Sequence, residues 1–156
     1  MTNHLYKYDN DFLLESGKKI KGFHLEYSTT GNINAEKNNV IWIFHALSAN
    51  SNAQEWWHGL VGVDQFFNPD KYFIICVNMP GSCYGSIGPL DFNQATGEQY
   101  YHDFPLFTTR DMVTAYKLLQ EHLAIEKIYL GIGGSMGGQQ LLEWAILDPL
   151  LFEHIV

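Results

Sequence analysis

The chain is short of several things, and each shortage excludes a class of function. Among 156 residues there are only 9 lysines and arginines against 17 aspartates and glutamates, a formal net charge of −8. No basic cluster offsets that balance, which argues against nucleic-acid backbones and anionic membrane surfaces as partners. Cysteine is scarce: Cys76 and Cys83 make no disulfide framework, and Cys76 lies inside an apolar run, as a core residue would. No apolar run approaches the roughly 20 residues that span a bilayer. Met1 to Asn10 is polar, with no apolar signal segment, so a soluble cytoplasmic protein is expected. The 7 histidines are scattered without metal-ligand spacing, so no metal site is expected. No Gly-Lys-Ser/Thr closes a phosphate loop, and a dinucleotide fingerprint begun at Gly131 fails at Met136, where it needs glycine. Internal repeats, low-complexity tracts and domain linkers are missing too.

What is present suits one domain with a real core, since apolar residues make up 46% and charged residues 17%. The chain is organised around Gly133-Gly134-Ser135-Met136-Gly137, a G-x-S-x-G sequence. The apolar run Ile128 to Ile132 precedes it, and a helical run, Gln139 to Leu147, follows. A strand turning sharply into a helix through a serine is the nucleophile elbow of α/β-hydrolase-type enzymes. Its glycines keep side chains from colliding in the tight turn, and Gly138 extends the slim surface. The Met136 N–H at the helix start would face an oxyanion on an acyl group carried by Ser135. The plainer reading is a glycine-rich turn that only lets a helix pack.

Upstream, two antiparallel strands are expected at about 11–15 and 20–28, joined at Ser16-Gly17. The continuous apolar runs Val40 to Phe44 and Tyr72 to Val77 read as strands buried on both faces of a parallel sheet. His45-Ala46-Leu47-Ser48 follows the first, where this fold places its second oxyanion donor; by position that is the Leu47 N–H. His45 precedes the serine, against the fold's Ser, Asp/Glu, His order, and is expected to bond backbone near that loop. Trp56 and Trp57 either line a pocket or simply pack, with packing slightly favoured. Residues 79 to 107 show little pattern, and so long a loop after a strand's carboxyl end suits a ligand site. Thr108 to Leu123 is the clearest helix, with Thr108 and Asp111 spaced as a capping box. Arg110 and Asp111 are read either as site residues or as solvated and capping ones. The helix after the serine is apolar on more than one face and is expected to be buried. Asp148-Pro149 ends it, and Glu153 to Val156 resembles the opening of a strand.

Together these stretches resemble the homoserine O-acetyltransferase family. The matching segments are His45-Ala46-Leu47, Trp56-Trp57, Gly81 with Cys83 to Ser86, Gly88-Pro89, Ala95 to Gly97, Asp103 to Pro105, Arg110 to Met112, Gly133 to Gly138 and Leu142 to Ala145. The chain departs from the family pattern at Ser48-Ala49-Asn50, where Thr-Gly-Asp is usual, and at Ala124, where glycine is usual.

The resemblance implies an α/β-hydrolase fold: a mostly parallel sheet with an N-terminal antiparallel hairpin. It implies that 1–156 is a single domain truncated after the nucleophile helix. Ser135 would take an acetyl group from acetyl-CoA as co-substrate, held by the Leu47 and Met136 N–H groups, and pass it to L-homoserine. No bound metal or prosthetic group is implied, and the full-length form could be a homodimer. The family's catalytic Asp and His, and its lid, lie downstream of Val156. Asp148 and His154, the nearest candidates, fall at chain positions this fold keeps away from the serine. The fragment alone is therefore expected to be inactive, with the serine strand left at a sheet edge. The residues leave open a serine esterase of the same fold, a succinyl-CoA or serine-accepting variant, and a non-catalytic fragment.

Overall fold

The computed structural model describes all residues 1–156. Its sheet has six strands in the order β1-β2-β4-β3-β5-β6. These are β1 (Thr2–Leu13), β2 (Lys19–Thr30), β3 (Val40–Phe44), β4 (Phe73–Val77), β5 (Ile128–Gly133) and β6 (Phe152–Ile155). β1, β2 and β4 pair antiparallel, whereas β3 pairs parallel with both β4 and β5, and β5 with β6. The helices are α1 (Ala53–Trp56), α2 (Thr109–His122) and α3 (Met136–Leu147).

β3 is apolar throughout because both its faces are covered. Val40, Trp42 and Phe44 point into the larger core with Tyr116 of α2 and Trp144 of α3. Ile41 and Ile43 point the other way, with Ala53, Val61 and Phe67. Successive side chains leave a strand on opposite faces, so a strand buried on both sides shows no polar alternation. Trp144 meets Trp42 edge-on, with ring centroids 4.9 Å apart.

The Thr108 cap is present and reciprocal. The Asp111 N–H donates to Thr108 Oγ1 at 3.1 Å, and the Thr108 N–H donates to Asp111 Oδ2 at 3.0 Å. The second carboxylate oxygen of Asp111 accepts the Glu15 N–H at 2.9 Å, which latches the β1–β2 turn to the start of α2. Asp111→Ala strands two amides and removes a buried carboxylate, so a loss of about 2 kcal/mol is expected. Urea denaturation measures it; a loss below about 0.5 kcal/mol would mean that the latch contributes nothing.

Four expectations need correction. β1 begins at Thr2, not near 11; ahead of Phe12 only Tyr6 and Tyr8 turn partly inward and the rest is exposed, so the apolar alternation is weak. α3 begins at Met136, not Gln139, and the serine itself stands at its N-cap. α3 is also not buried all round: Leu142 is 57% and Ile146 71% exposed. Finally, β5 is not an edge, because β6 pairs alongside it through Ile128↔Phe152 and Leu130↔His154. The edge lies one strand further out. No helix is long and apolar enough to cross a membrane.

Candidate active site

After β3 the chain goes out to β4, then crosses back over β3 to reach β5. That reversal makes the carboxyl ends of β3, β4 and β5 the switch point at which open α/β sheets take ligands. The register sets Phe44, the last residue of β3, beside Gly133, the last of β5. The loop opening at His45 and the turn opening at Gly134 therefore start as neighbours.

Ser135 has φ 55° and ψ −127°. Those are the angles of the first central residue of a type II′ turn, which favours glycine. Gly137 N–H closes that turn on Gly134 O at 3.0 Å. Ser135 is exposed on top of it, so its hydroxyl stands clear of the core. The flanking glycines are needed for close approach. A Cβ built on Gly137 would lie 2.1 Å from Phe44 O and 2.9 Å from His45 O, and one on Gly133 2.7 Å from Gly137 C. Gly138 is less tight, at 3.1 Å from Gly133 O. Bare backbone thus lets the first turn of α3 press onto the end of β3.

That approach brings Met136 and Leu47 to one cavity of about 790 Å³. Met79, Tyr84, Phe104 and Met112 supply much of its apolar wall. The Met136 amide belongs to the first helical turn, whose N–H groups lack intrahelical acceptors. Neither it nor the Leu47 amide donates to any backbone acceptor in the loops and turns. Two donor residues lining an apolar cavity, with an exposed hydroxyl on the residue next to Met136, can hold an acyl group and stabilise a negative oxygen on it. Much of this wall comes from the 79–107 loop, expected to serve a ligand site; sequence reasoning missed the contribution of Met112 from α2. The wall combines a patternless loop with a helix face, and only the fold brings these together.

His45 is buried, and its ring is bonded on both sides. Nδ1 lies 2.8 Å from Ala46 O, and Nε2 accepts the Met79 N–H at 3.2 Å. Burial pushes its pKa below the usual histidine value of 6.5, against a smaller opposing effect from the Ala46 bond. Unfolded chain binds a proton near pH 6.5 and the folded ring resists it, so this contribution to stability is complete above that pH. It is lost as the pH falls below 6.5 toward the folded-state value. The thermal midpoint is expected to drop between pH 7 and pH 5, and by less in His45→Asn; equal drops would remove His45 as a cause.

The other polar candidates are engaged elsewhere. Asp148 pairs with Lys117 at 3.7 Å, His154 lies 3.9 Å from Glu153 and edge-on to Tyr129, and Arg110 bonds Glu143 at 2.6 Å. Ser135 Oγ is in hydrogen-bond contact with none of them. Trp56 and Trp57 pack together, with Trp56 Nε1 donating to Asn50 O at 2.9 Å. Cys76 is buried and Cys83 is exposed at the cavity. No group of three or more His, Cys, Asp or Glu side chains is placed to hold a metal ion.

A family model for the alpha/beta hydrolase fold matches residues 39–156, and the chain belongs to that family. Within it, the chain is similar to the homoserine O-acetyltransferase of Cyclobacterium marinum, 51% identical over 146 residues. That match covers 94% of this chain and 42% of the relative, so the chain spans about two-fifths of the relative's length. Among solved structures it is similar to homoserine O-acetyltransferase from Bacillus anthracis, with TM-score 0.91 and 28% identity over 99% of this chain and 45% of that one. It also resembles an acetylester hydrolase from Corynebacterium glutamicum, with TM-score 0.85 and 30% identity over 99% of this chain and 43% of that one.

Proposed function

We propose that these residues form the nucleophile-bearing part of a homoserine O-acetyltransferase. In this reading Ser135 takes an acetyl group from acetyl-CoA, with release of coenzyme A. The hydroxyl of L-homoserine then attacks the acetyl-serine. The Leu47 and Met136 amides steady the oxyanion in both half-reactions, each worth about two to three orders of magnitude in rate. One observation carries the reading: an exposed Ser135 on a type II′ turn, beside a cavity lined by both Leu47 and Met136. The choice of donor and acceptor is supported by the name of the relative that is 51% identical. No histidine or carboxylate of 1–156 touches Ser135, so the reading assigns the general base to residues outside this stretch. No resident metal or prosthetic group enters it.

The protein bearing this sequence should release free thiol from acetyl-CoA continuously only when L-homoserine is present, and no more than about one equivalent per Ser135 without it. Absence of any thiol release would sink the proposal. A second reading, an acetylester hydrolase, is favoured by the likeness to the Corynebacterium glutamicum structure. It would win if p-nitrophenyl acetate hydrolysis outpaced transfer to homoserine.

A further inference from the structure

We infer that His45 is the positioning residue for one oxyanion donor: its ring holds the Ala46–Leu47 peptide so that the Leu47 N–H faces the cavity. The inference rests on the reading of Leu47 as a donor. It goes further in saying what aims that amide.

The Ala46 carbonyl can only accept, so the 2.8 Å contact fixes the proton on Nδ1. Nε2 must then be the bare nitrogen, and it accepts the Met79 N–H. One neutral tautomer satisfies both bonds; a protonated ring would set Nε2–H against Met79 N–H. The carbonyl held by Nδ1 belongs to the same peptide unit as the Leu47 N–H. No peptide bond in the chain is cis, so the C=O and N–H of that unit point in opposite directions. Turning the carbonyl toward the buried ring turns the amide away from it, on the residue that lines the cavity beside Met136. A hydrogen bond to the carbonyl also polarises the peptide and strengthens its N–H as a donor.

The ring is itself anchored. Met79 follows β4, and its sulfur accepts from Gln140 Nε2 on α3, while Gln140 Oε1 accepts the Tyr116 hydroxyl at 2.8 Å from α2. One buried set of contacts therefore ties the loop after β3 to the helix that presents the Met136 amide.

Two substitutions separate positioning from simple core filling. In His45→Asn the amide nitrogen can stand where Nδ1 stood and still donate to Ala46 O. In His45→Gln the side-chain oxygen can stand where Nε2 stood and accept from Met79, but nothing holds the carbonyl. Each loses one bond, so both should lose similar stability. The readout is acetylation of Ser135 by p-nitrophenyl acetate, followed by mass spectrometry with Ser135→Ala as the blank. His45→Gln is expected to lower the rate at saturating ester about ten- to a hundred-fold with little change in half-saturation, and His45→Asn to stay within about threefold of the unaltered chain. Rates that follow melting temperature in both variants, or that change in neither, would overturn the inference.

All rates are measured on the whole protein bearing this sequence; if the unaltered protein takes no acetyl group at Ser135, the reading of the site falls first and this inference with it. If it does and His45→Gln matches it, the inference alone falls. Should His45→Gln not fold, long-range proton–nitrogen NMR of the unaltered chain decides: a proton on Nδ1 is expected, and a proton on Nε2 overturns the inference.

Discussion

On the proposed function, Ser135→Ala is expected to lower acyl transfer by the protein bearing this sequence by about six orders of magnitude, because the proposed nucleophile is lost outright. The fold should not suffer. Alanine meets the same backbone demand at φ 55° as serine, and the side chain is exposed. A midpoint shift within about 0.5 kcal/mol is expected, as for an ordinary surface change. Ser135→Gly should be equally inert but more stable than the parent, by about 1 kcal/mol. A serine held in this region carries roughly 1–3 kcal/mol of strain that glycine does not, less the entropy glycine costs. Denaturant titration and thiol release, measured on the same preparations, test both statements. A glycine variant less stable than its parent would mean that the turn is not strained; an active alanine variant would remove Ser135 from the chemistry.

The second large effect is expected at Gly137. A methyl group there would sit 2.1 Å from a backbone oxygen and 2.6 Å from the carbon that bears it, and neither atom can swing aside. Gly137→Ala must push α3 off the end of β3, which should cost about 3 kcal/mol, the upper end for overpacked sites. For a domain of this size that is a fall in thermal midpoint of about 6–12 °C. The displacement would also part Met136 from Leu47, so transfer should fall more steeply than stability. Gly134→Ala is the control, since nothing lies within 4 Å of an added methyl there. If the two variants melt together, close approach is not what Gly137 provides.

The parts of this fold legible in the sequence are those where one requirement dominates. β3 had to be apolar on both faces, and Val40 to Phe44 admits few other readings. α2 announced itself through Met112, Ala115, Tyr116 and Leu119, all buried, and through a capping pair that formed as spaced. The serine turn was legible because close contact between α3 and the end of β3 demands glycines at fixed offsets from the serine. Elements governed by pairing alone were obscure. Most of β1 is held by its ladder to β2 rather than by a buried face, so its first residues carry no periodic signal. β6 is four residues long, and its place beside β5 follows from a register that no local pattern states. The loop of the cavity wall was legible as a ligand site, but which of its residues meet Met112 of α2 was not. Met79 and Phe104 are 25 positions apart, yet they line one space.

The parallel pairing of β3 with β5 has a consequence for synthesis on the ribosome. Ile41 pairs with Leu130, a separation of 130 − 41 = 89 residues. At elongation rates of about 5–20 residues per second, β3 emerges roughly 5–18 s before its second neighbour exists. For that interval the most water-averse segment of the nascent polypeptide has one flank unzipped, which makes it a natural client for holding chaperones.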